Sequence, residues 1–144
     1  MKKNIIYIAI AVILAGIIVT FFALKYLNKP PSTFEDAKAV YSISAQNFYD
    51  EYQIDKNTAS QKYTGKVIEI SGKYYTIEVV DQFIKIVFVF SQGMFGDQGI
   101  RCTMLPKYNE KAKSLPENSK ITLKGYCSGY NDTDIILEKC IIVE

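Results

Sequence analysis

Gly65-Lys66-Val67-Ile68-Glu69-Ile70-Ser71-Gly72-Lys73-Tyr74-Tyr75-Thr76-Ile77-Glu78-Val79 is where the side-chain pattern of this chain settles into a period of two. Residues 66–71 read as a strand, because alternating β-branched residues suit a pleated, half-buried surface. Residues 73–79 continue it beyond Gly72. A glycine inside a strand marks a bulge or a bend. The stretch therefore predicts one long strand that curls at Gly72, as the first strand of a small closed barrel must.

Working outward toward the C-terminus, residues 83–90 place Ile84, Ile86, Phe88 and Phe90 on one face. Phe83, Lys85, Val87 and Val89 make the other. Gly93, Gly96 and Gly99 punctuate a loop, and residues 100–105 are a third strand. Pro106 opens a short helix over 107–115. Residues 120–127 and 133–143 are strands four and five, joined by Ser128-Gly129-Tyr130-Asn131-Asp132, a run of turn formers. The order of three strands, a helix and two strands predicts a mainly β fold, a five-stranded Greek-key barrel of the OB type.

Working toward the N-terminus, Ser44 caps a helix whose Ala45, Phe48, Tyr49 and Tyr52 follow helical spacing. Asp55 caps a further turn or two through Tyr63. Ser42-Ile43-Ser44 reads as a connector, and Ser32-Thr33-Phe34-Glu35 as a capping box that predicts a short helix through Tyr41. Lys29-Pro30-Pro31-Ser32 is a stiff break.

Ahead of that break, 4–24 is a run of 21 uncharged residues flanked by Lys2, Lys3, Lys25 and Lys29. As a helix, 5–24 spans about 30 Å at ~1.5 Å per residue, enough for a bilayer core. Thr20-Phe21-Phe22-Ala23-Leu24-Lys25 offers no small-x-small cleavage site, and no Cys follows the run before Cys102. The reading is one uncleaved transmembrane anchor. The organisation expected is a cytoplasmic tail and anchor over 1–28, a linker over 29–32, a helical extension over 33–63 and the barrel over 64–144. The paired lysines place the tail inside and the domain outside the cytoplasmic membrane.

The 144 residues contain no His, which removes Ser-His-Asp and Cys-His catalysis and the usual zinc sites. Residues 32–144 hold 13 basic side chains against 15 acids, a net of −2. Phosphate neutralisation supplies most nucleic-acid affinity, so this balance argues against a nucleic-acid partner. Cys102, Cys127 and Cys140 lack the paired spacings of a metal site and fall in strand patterns, where a buried thiol acts as a small hydrophobe. A disulfide from Cys102 to either partner stays open. Gly93-Met94-Phe95-Gly96-Asp97-Gln98-Gly99 joins two strands and matches no phosphate loop. Glu69, Glu78, Asp132 and Asp134 fit solvated faces and turns, so no acid–base pair stands out. No cofactor or metal site and no enzyme activity are expected.

Several stretches carry a resemblance. Ser42-Ile43-Ser44-Ala45, Tyr63-Thr64-Gly65-Lys66-Val67-Ile68-Glu69-Ile70-Ser71-Gly72 and Arg101-Cys102-Thr103 are three of them. Lys124-Gly125-Tyr126-Cys127-Ser128-Gly129-Tyr130 and Leu137-Glu138-Lys139-Cys140-Ile141-Ile142-Val143 complete them. The chain resembles the tRNA-anti-like OB-fold family of small bacterial envelope proteins. The resemblance implies an OB barrel behind a helical extension, often on a lipoprotein or membrane anchor. It implies no particular activity.

OB folds bind on the outer surface of strands two and three, rimmed by the first and last hairpin loops. Alternation puts Lys85, Val87, Arg101 and Thr103 on that surface, with Tyr130 at the rim, and these five are the expected binding residues. Arg101 is the sole arginine, a planar donor fork suited to carboxylate or phosphate. The function expected is a membrane-anchored, non-catalytic binding module of the cell envelope whose partner is a protein, peptide or glycan. The alternative is a single-stranded nucleic-acid-binding OB domain.

Overall fold

A computed structural model of the protein describes Gly16, residues 34–94 and residues 96–143. Compactness divides the chain into Met1–Asp36 and Ala37–Glu144. The expected anchor and proline linker lie, Gly16 apart, outside the described residues. Among the described residues no helix is long and apolar enough to cross a membrane.

The second unit begins with β1 (Tyr41–Ser44), followed by α1 (Ala45–Ile54) and α2 (Lys56–Tyr63). The helix expected through Tyr41 is replaced by a turn at 34–36 and by β1, which pairs in parallel with Ile68–Ser71. The pairing satisfies backbone groups on an edge that would otherwise lack partners. The caps form as expected. Ser44 Oγ accepts from Asn47 N, and Asp55 Oδ1 accepts from the amides of Asn57 and Thr58.

The long first strand is two strands, β2 (Val67–Lys73) and β3 (Thr76–Val80). The break falls at Tyr74 and Tyr75 rather than at Gly72. Tyr74 is buried, and its hydroxyl donates to the carbonyls of Leu115 and Pro116. Gly72 serves a close approach instead: a Cβ there would lie 2.9 Å from Ala45 Cβ and 3.5 Å from the Phe88 ring. Next come β4 (Phe83–Gly93), β5 (Gly96–Met104), a 3-10 turn (Pro106–Tyr108), α3 (Asn109–Lys113), β6 (Lys120–Tyr130) and β7 (Asp134–Val143). Most of the expected glycine loop is thus strand, with Gly93 paired to Gly96.

In hydrogen-bonding order the sheet reads β1-β2-β6-β7-β5-β4-β3. The arms β2 and β3 lie far apart in that order, yet only two residues join them. The chain leaves β6 at Lys73 and reaches β4 at Thr76, which brings the ends of the sheet together. With β2 and β3 taken as one interrupted strand and β1 as an added edge, the connections are those of an OB-type fold. The strand count therefore exceeds the expected five through one split and one addition.

Ile84, Ile86, Phe88, Ile100, Cys102, Met104, Leu123, Cys127, Ile135, Leu137 and Cys140 fill the inner face, all nearly inaccessible. Phe48, Tyr52 and Tyr63 from the helical extension join this core, packing edge-to-face at 4.8 and 5.7 Å. Each such ring contributes about 2–3 kcal/mol through apolar burial. All three cysteines are free and buried.

Candidate ligand-binding groove

The outer surface of β4 and β5 carries the residues expected from sequence, and the structure divides them. Lys85 and Thr103 are cross-strand partners and line one groove of about 340 Å³. Its mostly apolar lining comes from Phe83 at the start of β4 and from Leu105 and Pro106 just beyond β5, with Lys139 of β7 on the far side. Phe83 is 45% exposed. Among the described residues, neither Lys85 nor Lys139 pairs with a carboxylate.

Val87 corrects an expectation. It lies on the outer side of the pleat but is only 2% exposed and unavailable to a ligand. Its cross-strand partner Arg101 accounts for this. Arg101 reaches from β5 across β4 to Glu78 on β3, where Nη1 donates to Oε1 at 2.8 Å and to Oε2 at 2.9 Å. Its Nε donates to Asp134 Oδ2 at 2.9 Å. The side chain is a strap over β4 beside Val87, with both ends held by carboxylates. The bond from Asp134, ahead of the one from Glu78, raises the guanidinium pKa above its ordinary value, so the group stays charged. The expected anion-recognising fork is occupied within the fold.

Tyr130 stands elsewhere. Its ring packs 5.3 Å from that of Tyr52, and its hydroxyl accepts from Gln53 and donates to the Asp132 carbonyl. It pairs with Ile135, about 13 Å along β7 from Lys139 at ~3.3 Å per residue, and lines a separate shallow hollow with Asn131. A larger hollow of about 510 Å³ lies among Tyr75, Ile77, Leu115 and Asn118. Its lining is mainly polar, and it contains none of the expected residues. Among the described residues no cluster of Cys, Asp and Glu could hold a metal ion.

Strict alternation along β7 does not single out Lys139. It adopts a left-handed conformation, φ 53°, in a bulge where the register of β7 against β5 shifts between Leu137 and Cys140. The signal was present: Leu137 and Cys140 are both buried with two polar residues between them, a phase slip that strict alternation forbids. The bulge turns both Glu138 and Lys139 outward.

The tRNA_anti-like family model matches residues 1–141. The chain belongs to the tRNA_anti-like family. Among solved structures, a tRNA_anti-like chain of this kind is similar to a candidate nucleic acid-binding lipoprotein from Klebsiella pneumoniae. The two share 16% identity over 72% of this chain and 91% of that one, with a TM-score of 0.53. Weaker likenesses are to asparaginyl-tRNA synthetase from Pyrococcus horikoshii (18% identity, 74% of this chain and 23% of that one, TM-score 0.41) and to yeast Stn1 and Ten1 (14% identity, 80% and 68%, TM-score 0.37). No curated protein sequence matches the chain. The Klebsiella likeness supports the OB-type fold and lends no support to the charge argument against nucleic acid.

Proposed function

We propose that this tRNA_anti-like chain is a non-catalytic binding module, held at the cytoplasmic membrane by residues 5–24 with its barrel outside. Its ligand, a protein, peptide or glycan of the envelope, docks in the groove between Phe83 and Lys139. One observation carries the reading: an exposed ring and apolar floor stand beside two unpaired lysines, on the face that OB barrels use. Of the carboxylates near the groove, Glu78 and Asp134 are engaged with Arg101, which leaves Glu138 on the rim and no pair of free carboxylates for acid–base work.

A second reading is single-stranded nucleic-acid binding. Phe83 beside Lys85 and Lys139 supports it, because a ring can stack on a base while ammonium groups meet phosphates. The description of the Klebsiella relative points the same way.

Photocrosslinking in native membranes tests the groove. A benzophenone side chain replacing Thr103 should give discrete adducts, and one replacing Ile54, far out on α1, should give none. Equal adduct yield at the two positions, or no adduct at Thr103, refutes the groove. Reporter fusions at Glu144 test the topology, and a signal restricted to the cytoplasm refutes it.

A further inference from the structure

We infer that the groove takes an extended acidic peptide, one that presents an apolar side chain next to a carboxylate. The inference rests on the proposed function and names the ligand class of the same site. Two features of the surface select it.

The first is local charge. Lys85 and Lys139 stand on β4 and β7, on either side of β5, with the apolar lining of Phe83, Leu105 and Pro106 near them. A leucine or phenylalanine of the ligand fits that lining, and a carboxylate one or two positions along reaches an ammonium group. Glu138, also on the rim, disfavours a second negative group placed at its side.

The second is what borders the groove. Glu78, directly across the β3–β4 pair from Lys85, and Asp134 flank Arg101 on the same face, two negative charges against one positive. A polyanion with a charge on every unit, as nucleic acid has, would leave the lysines and run onto carboxylates, where like charges repel. A peptide with one or two acidic residues carries charge only where the lysines are. The positive potential is thus a spot rather than a stripe, which suits a discrete carboxylate better than a phosphate chain.

The test uses the full chain in detergent micelles and three fluorescent probes read by anisotropy. These are a short peptide alternating Glu and Leu, its Gln-for-Glu analogue, and oligothymidylate of matching length. The acidic peptide should bind, with the Gln analogue roughly tenfold weaker and the Lys85→Gln/Lys139→Gln variant losing a similar factor. Ile54→Ser should bind like the parent chain. Equal binding of the two peptides, or no binding of the acidic one, overturns the assignment. Oligothymidylate binding that depends on Lys85 and Lys139, without peptide binding, also overturns it but leaves the groove as the site. If no probe's binding responds to the lysine substitutions, both the assignment and the groove fall.

Discussion

Arg101 and Asp134 meet on the outer face of the sheet, with Nε donating to Oδ2 at 2.9 Å and side chains 27% and 10% exposed. The Asp134 carboxylate also accepts from the Gly99 amide, so it ties β5 to the start of β7, and the Asp134 amide donates to Asn131 Oδ1. Arg101→Ala leaves that carboxylate with one fewer donor and uncovers Val87. Stability should fall by about 2 kcal/mol, less than for a fully buried pair because water partly screens the site. Arg101→Lys should recover only part, since an ammonium cannot span Glu78 and Asp134 as a planar fork does. Chemical denaturation of the three proteins measures this, and an unchanged midpoint for Arg101→Ala contradicts the strap.

The strap also shows how far the sequence could be read. Alternation alone put Val87 and Arg101 on the outer face, which is correct. That Val87 is covered depends on Arg101 reaching over β4 to a carboxylate on β3, a relation no local pattern contains. The inner rows Ile84-Ile86-Phe88 and Ile100-Cys102-Met104 were legible because period two is local, as were the Ser44 and Asp55 caps. β1 was not, since four residues that pair only with a distant edge have no signal of their own. The Tyr74–Tyr75 break was displaced from Gly72 because the tyrosine hydroxyl finds its acceptors in the loop after α3, about forty residues away along the chain. The groove was half legible: Lys85 and Thr103 follow from alternation, whereas Lys139 depends on a bulge.

Gly99 faces the backbone of β4 so closely that a Cβ would sit 1.8 Å from the Phe88 carbonyl oxygen. Neither strand can yield without breaking the ladder that holds Ile100 and Phe88 in the core. Gly99→Ala should therefore destabilise by about 3 kcal/mol. Thermal unfolding tests this against Gly16→Ala, where a Cβ meets nothing within 4 Å. Equal Tm values for the two variants contradict the close approach.

The buried tyrosines set a limit on alkaline stability. Burial raises the phenol pKa of Tyr49, Tyr52, Tyr63 and Tyr74 above the ordinary 10.0. The unfolded chain ionises first as pH rises, so this contribution is complete below pH 10 and is lost above it. Lys62, raised from 10.5 chiefly by its hydrogen bond to Glu51, adds to the same trend. On the acid side, the Lys62 bond lowers Glu51 below 4.5, and that contribution is lost as pH falls through the lowered value. Tm should be flat near neutrality and fall above about pH 10, less steeply in Tyr52→Phe. A Tm that stays level through pH 11 contradicts this.

Cys102, Cys127 and Cys140 should resist a thiol reagent in the native protein and react together once it unfolds. Burial pushes the Cys127 and Cys140 thiols up, which further suppresses the reactive thiolate. Titration in denaturant without reductant should find three thiols. One thiol would mean that a disulfide forms and that the buried-thiol account is wrong.

Hydroxyl-radical footprinting in native membranes tests the groove most directly, because Phe83 reports its occupancy and Met94, 96% exposed, reports general access. Phe83 should be oxidised several-fold more slowly in native membranes than in the purified full-length protein, with Met94 unchanged. Equal Phe83 oxidation in the two preparations, with Met94 as its internal reference, would contradict a ligand in the groove.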